Sequence, residues 1–229
     1  MSKTDHSTSA SLEALRRKMV QFQIAARGLT DRRLLDALTA VPREAFVPDE
    51  LIPYAYQDRP LPIEANQTIS QPYIVALMLA ALALEPEDRV LEIGTGSGYA
   101  AAVLAELCDE VYTIERHREL AEKARERLAR LGYDNVHVKQ GDGTLGWPEH
   151  APYDGIVVAA AAPEVPAPLK QQLAIGGRLV IPVGRTQATQ ALLRIRRVSE
   201  TQFETDDLGG VRFVPLVGEA GWREDVKDT

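Results

Sequence analysis

The chain holds one cysteine, Cys108, in 229 residues, which excludes an intrachain disulfide and any multi-cysteine zinc site. It has no apolar run of roughly 18 residues, so no membrane-spanning helix is signalled. The opening MSKTDHSTSA lacks the apolar centre of an export signal. A cytoplasmic address without a membrane partner is therefore expected. Positive charge is not in excess either: the net charge is −7 and the pI near 5.2. Without a global field to gather phosphate backbones, no nucleic-acid partner is expected, although a local basic patch is compatible with these numbers. No Pro/Gly/Ser-rich stretch is long enough to separate domains. One domain over residues 1–229 is expected, a monomer or small homo-oligomer, with 1–10 and 223–229 flexible.

With 45% hydrophobic and 26% charged residues, the composition is that of a globular protein. From Ser11 to Arg27, Leu12, Leu15, Met19, Phe22 and Ile24 recur at helical spacing, predicting an amphipathic helix. A second helix is predicted over Asp31 to Ala40, capped by Thr30-Asp31 and stopped by Pro42. Residues 42–72 hold six prolines and little periodicity, the mark of a long and often functional loop. YIVALMLAALAL after Pro72 is apolar all round, as in a helix buried against a sheet. These parts, 11–84, form an N-terminal helical extension and substrate loop. Residues 85–222 form an α/β core.

In that core, Val90 to Ile93, Val111 to Ile114, Val136 to Val138, Ile156 to Ala159 and Leu179 to Val183 are short apolar runs that predict buried strands. Helical segments separate them over Tyr99 to Leu107, His117 to Leu131 and Ala167 to Leu173. Ala191 to Val198 and Val211 to Val217 are expected to close the sheet, the last of them antiparallel. The fold class is α/β, Rossmann-like, with a mostly parallel seven-stranded sheet covered by helices on both faces.

The strand VLEI runs into Gly94-Thr95-Gly96-Ser97-Gly98, and a helix follows at once. Glycines there let the backbone bend sharply and approach a ligand. Dinucleotide enzymes favour GxGxxG, which seats a pyrophosphate on the helix N-terminus. Here the pattern is GxGxG, and Glu92 puts a carboxylate just before it. That suits a cationic ligand, and the sulfonium and amino group of S-adenosylmethionine fit. Glu115 ends the second strand, placed to accept hydrogen bonds from both ribose hydroxyls. Asp142, between Gly141 and Gly143, could approach an adenine edge. Each has a plainer reading, as a solvated strand-end charge or a turn aspartate. Their joint position at strand C-termini favours a cofactor site.

With these residues placed, the chain resembles the protein-L-isoaspartate O-methyltransferase family. The resemblance covers roughly Met19 to Trp222 and includes AVPREAFVP, AYQDRPLPI, QTISQPYIV, VLEIGTGSGYAAAVLA, GDGTLGWPEHAPYDGIVVAAAAPEVP, GGRLVIPVG and VRFVPLVG. It implies methyl transfer from S-adenosylmethionine to the free α-carboxylate of L-isoaspartyl residues in proteins and peptides, with S-adenosylhomocysteine as product. It implies that Ser70 is the catalytic-site serine, with Thr68, Ile69 and Val214 beside the substrate. Glu92, Gly94, Thr95, Gly96, Gly98, Glu115, Arg116, Asp142 and Gly143 would line the cofactor. One stretch departs from the family, whose members commonly have glycines after PLPI, in the pattern IGxGQTIS; this chain has Glu64-Ala65-Asn66.

An α-carboxylate is already ionised at neutral pH, so no general base is required, which accounts for the lack of a nucleophile-base-acid triad. The plainer reading of Ser70 is a turn residue capping the next helix. Cys108 is expected to be a small buried hydrophobe. His6, His117, His137 and His150 show no metal-ligand spacing and are expected at the surface or in turns; no metal is expected. Two alternatives stand beside the repair reading. One is a related enzyme acting on aspartate carboxylates of a dedicated peptide; the other is a non-catalytic cofactor-binding module. A nucleic-acid amino-methyltransferase would carry an Asn/Asp-Pro-Pro-aromatic motif where this chain has Ala159 to Ala162 and Pro163.

Overall fold

The computed structural model of the chain describes residues 3–186 and 189–223. The first helix, α1, spans Lys3–Lys18 and continues as a π-helical segment, Met19–Ile24, and a 3-10 turn, Ala25–Arg27. It thus starts earlier than the predicted Ser11. The wider π turn also breaks the 3.6-residue period on which the expected apolar face was read. Met19, Val20 and Ile24 are buried, whereas Phe22 is left 61% exposed. Helix α2, Arg32–Ala40, is capped as predicted: the Asp31 side chain accepts from the Arg33 and Leu34 amides.

The proline-rich stretch is more ordered than its composition suggests. It folds into 3-10 turns at Arg43–Phe46, Asp49–Tyr54 and Glu64–Asn66 and a small antiparallel pair, β1 (Leu61–Pro62) and β2 (Thr68–Ile69). Helix α3, Pro72–Leu82, begins with proline at a position where the missing N–H costs nothing. Its start is held from outside by Asp58. One carboxylate oxygen accepts from the Tyr73 amide at 3.1 Å, the other from Gln71 Nε2 at 2.8 Å and Arg27 at 2.9 Å.

The sheet is built of β3 (Arg89–Ile93), β4 (Glu110–Glu115), β5 (Val136–Gln140), β6 (Tyr153–Val158), β7 (Leu173–Thr186), β8 (Thr189–Arg197) and β9 (Phe203–Val211), in the order β5-β4-β3-β6-β7-β8-β9. The first five strands in that order are parallel; β8 and β9 are added antiparallel. Helices α4 (Tyr99–Ala105), α5 (Arg118–Leu131) and α6 (Ala167–Gln171) make the crossovers. Both faces are buried, and side chains alternate between them. Val90, Val111, Val157 and Val180 pack with α3 and α4, while Leu91, Ile93, Ile114, Ile156 and Val158 pack on the other side. After β5 the chain returns to the opposite side of β3. The crevice outside the ends of β3 and β6 is therefore a topological switch point, where open α/β sheets bind ligands.

The last strand differs from expectation. It is FETDDLGGV rather than Val211 to Val217, because its exposed edge position needs no apolar run, and acidic residues protect an edge from further pairing. The apolar residues after Val211 turn inward instead. Val214 and Leu216 exchange backbone hydrogen bonds with Ala161, and no strand forms there. Among the described residues no helix is long and apolar enough to cross a membrane. Of the ends expected to be flexible, 1–10 and 223–229, residues 1, 2 and 224–229 lie outside the described residues.

Because Asp58 satisfies an otherwise orphaned amide of α3 and two side chains besides, Asp58→Ala should lower stability by about 1–2 kcal/mol. Urea unfolding of the two proteins measures this, and Asp58→Asn should recover part of the loss.

Candidate active site

The glycine loop is folded by its conformational demands. Gly94, Gly96 and Gly98 have φ of 93°, 53° and 91°, a region that costs a side-chain-bearing residue about 1–2 kcal/mol. Gly94 donates its amide to Ile114 O at 2.8 Å, and the Gly96 amide donates to Glu115 Oε2 at 2.9 Å. Glu115 Oε1 accepts from the His117 amide at 2.9 Å. The end of β4 thus holds the turn that follows β3.

Glu92 and Glu115 are both buried beside one cavity of ≈360 Å³. Thr113 Oγ1 donates to Glu92 at 2.6 Å and lies 2.6 Å from Thr95 Oγ1, a buried polar chain running from β4 to the glycine loop. Burial pushes the Glu92 carboxyl up to about 8; the Thr113 hydrogen bond opposes this and the nearby Glu115 charge reinforces it. Predicted residues Glu92, Gly94, Thr95, Gly96, Glu115, Arg116, Gly143, Thr68, Ile69, Ser70 and Val214 all line the cavity. The turn at Gly143 packs so tightly that a Cβ there would overlap Ile93 Cγ2.

Two predicted cofactor residues are not in the lining. Gly98 faces the other way: a Cβ on it would meet Leu128 at 3.4 Å and Ala124 at 3.5 Å, so this glycine lets α4 start close against α5. The Asp142 carboxylate is engaged within the protein. Oδ1 accepts from the Thr144 amide at 2.9 Å and its hydroxyl at 2.7 Å, and Oδ2 accepts from the Glu219 amide at 2.8 Å. It anchors the C-terminal segment beside the cavity, and its turn role is the one the geometry displays.

Other lining residues were not singled out from the sequence. His117 was expected at the surface or in a turn, yet it borders the cavity. Val75, Met78 and Leu79 of α3 form an apolar wall with Val157 and Leu216. The all-round apolar character of α3 is the one sequence signal that marked it. Cys108 is buried, as expected, and burial pushes its thiol up to about 12. Among the described residues no group of three or more His, Cys, Asp or Glu is placed to hold a metal ion.

A second, outer cavity of ≈830 Å³ shares Thr68, Ser70, Ala159, Val214 and Pro215 with the first. Ser70 stands on this common rim. Its hydroxyl makes no hydrogen bond among the described residues, and neither does the Val214 amide. The departing segment, Glu64-Ala65-Asn66, lies over the inner cavity's edge. Ala65 and Asn66 keep φ of 54° and 56°, the left-handed backbone that glycine favours. Glu64 is tied to Lys123 of α5 at 2.9 Å, a hydrogen bond that holds its carboxyl below the usual range.

A profile of the protein-L-isoaspartate(D-aspartate) O-methyltransferase family matches residues 14–221. The chain is 61% identical over 211 residues to protein-L-isoaspartate O-methyltransferase 2 of Marinobacter nauticus, covering 92% of this chain and 96% of that one. It is 59% identical over 210 residues to protein-L-isoaspartate O-methyltransferase 2 of Pelobacter propionicus, covering 92% and 93%. Among solved structures it resembles a protein-L-isoaspartate O-methyltransferase at TM-score 0.80 and 31% identity, over 90% of this chain and 67% of that one. A Plasmodium falciparum structure, titled as a putative protein-L-isoaspartate O-methyltransferase in complex with S-adenosyl-L-homocysteine, aligns at TM-score 0.77 and 27% identity, over 88% and 98%.

The Glu92 carboxyl gives a pH prediction. Between its unfolded value near 4.5 and its folded value near 8, the folded protein keeps a proton that the unfolded chain releases. Stability should be full below this window and fall as pH rises through it. Thermal unfolding of the ligand-free protein between pH 5 and 9 should show that fall, and Glu92→Gln should flatten it. An unchanged slope in the variant would mean that Glu92 is already ionised at neutral pH.

Proposed function

The chain belongs to the protein-L-isoaspartate O-methyltransferase family, and we propose that its inner cavity holds S-adenosylmethionine while its outer cavity receives the damaged segment of a protein or peptide. The reaction is methyl transfer from that cofactor to the free α-carboxylate of an L-isoaspartyl residue. The inner cavity fits the cofactor chemically: two buried carboxyls face a ligand with a sulfonium and an amino group, and left-handed glycines bring the backbone up to it. When bound, S-adenosylmethionine supplies an electrophilic methyl group on a positively charged sulfur. The observation that carries the reading is the common rim, where Ser70 presents an unengaged hydroxyl to both cavities.

The substrate's carboxylate, with a reference pKa of about 3.5, is ionised at neutral pH, so no side chain has to remove a proton. Ser70 donates a hydrogen bond to one carboxylate oxygen and the Val214 amide offers a second donor, leaving the other oxygen aimed at the inner cavity. Holding the reactants in line is the main source of rate. The apolar wall of Val75, Met78, Leu79, Val157 and Leu216 keeps water from competing for the methyl group. Glu92, Gly94, Thr95, Gly96, Glu115, Arg116 and Gly143 are the residues we assign to holding the cofactor.

An isoaspartyl peptide and its normal aspartyl twin have the same atoms and net charge. Only a site that fixes backbone and carboxylate together separates them. S-adenosylhomocysteine release should be rapid with the isoaspartyl peptide and near background with the twin. Ser70→Ala should cut kcat/KM on the isoaspartyl peptide by about 10- to 100-fold, the worth of a hydrogen bond to a charged group, with cofactor affinity unchanged. Equal rates on the two peptides would defeat the repair reading, and turnover on neither would favour a dedicated peptide.

A further inference from the structure

Arg43 is fully buried, yet no carboxylate accepts a hydrogen bond from it. It begins the 3-10 turn that follows Pro42. Its Nε donates to Ala55 O at 2.8 Å and its Nη2 to Ser70 O at 2.7 Å. The guanidinium lies 4.7 Å from the centre of the Tyr99 ring, the first residue of α4 after the glycine loop. Nη1 and the Tyr99 hydroxyl are buried without a well-aligned hydrogen bond, and each side chain is the other's main electrostatic partner. The adjacent carboxylate, Glu44, is taken by the Tyr56 hydroxyl.

Burying a guanidinium with no anion bonded to it is costly, the more distant Asp58 charge giving only partial relief, and a neutral amide could bridge two carbonyls at less expense. The arrangement makes sense for what it does to Ser70. Among the described residues no other hydrogen bond reaches the Ser70 carbonyl, and the strand pairing of β2 stops one residue earlier, at Ile69. The peptide plane that sets the direction of the serine side chain is therefore held by Arg43. The arginine fork spans from the 49–55 loop to this carbonyl, with the aromatic ring beneath as a floor.

We propose that Arg43 is a positioning residue of the methyl transfer, which holds the Ser70 carbonyl from behind and so aims the Ser70 hydroxyl at the carboxylate to be methylated. This rests on the role given to Ser70 above. The group acts through Ser70 and does not touch the substrate, so its loss should appear in kcat on the isoaspartyl peptide and not in cofactor binding.

A double-mutant cycle tests it. Arg43→Lys keeps the charge but lacks the planar fork. Measured well below its unfolding temperature, it should lose kcat by about tenfold or more, as misplaced groups do, with S-adenosylhomocysteine affinity within about twofold of wild type. Combined with Ser70→Ala, it should add less than about twofold to the loss from Ser70→Ala alone. Arg43→Gln, neutral and cheaper to bury, serves the same cycle if the lysine variant does not fold. Multiplicative losses, or full turnover in a folded Arg43 variant, would overturn the inference while leaving Ser70 its role. Undiminished turnover in Ser70→Ala would remove both.

Discussion

The hydrogen bond from the Gly96 amide to the Glu115 carboxylate is the constraint on which the site depends. It joins the turn after β3 to the end of β4, two segments that only the parallel register of the sheet brings side by side. Without it the left-handed glycines would have little to define their path, since their conformational freedom is also an entropic cost. The same carboxylate caps the His117 amide at the entry to α5. One buried side chain thus sets the loop, the strand end and the start of the next helix, and it still faces the cavity.

That cavity gathers two buried carboxyl groups on its wall. The nearby Glu115 charge reinforces the burial that pushes the Glu92 carboxyl up to about 8. The chain of Thr113 and Thr95 hydroxyls partly compensates Glu92. A cation entering such a site would favour the ionised form of Glu92. The methyl transfer then consumes charge: a carboxylate anion and a sulfonium become a neutral ester and a neutral thioether. An apolar wall, which would penalise a reaction that creates charge, favours one that removes it.

The regular half of the molecule was legible in the sequence and the irregular half was not. Val90 to Ile93 and Val111 to Ile114 were readable because doubly buried strands are apolar at most positions, and their two polar residues, Glu92 and Thr113, satisfy each other. The glycine loop was readable because backbone approach leaves few residue choices. β9 was missed, since FETDDLGGV sits at an edge where burial imposes no pattern. The turn contact of Asp142 with Thr144 was legible as the plainer reading of that residue, but its second partner, the Glu219 amide 77 residues on, is one that no local spacing encodes. Arg43 escaped for a related reason: its role depends on which distant backbone atoms, Ala55 O and Ser70 O, the fold delivers to it. The π-helical segment at Met19 to Ile24 defeated a periodicity argument by changing the period.

The two halves also differ in how they hold function. The inner cavity is built on strand ends, where the sheet's register and the Glu115 side chain fix positions. The outer cavity is made largely of short turns between 60 and 74 and the segment 210–215, where each turn needs its own tether: Asp58 to the start of α3, Glu64 to Lys123, the Ser70 carbonyl to Arg43. The Glu64-Ala65-Asn66 segment shows how such a tether tolerates change. Its backbone keeps left-handed φ values despite carrying side chains, a strain of about 1–2 kcal/mol per residue. The ion pair from Glu64 to α5 offsets part of this and fixes the segment at the cavity edge. A loop with side chains at left-handed positions thus depends on a tether of its own, where glycine would adopt the same φ without strain.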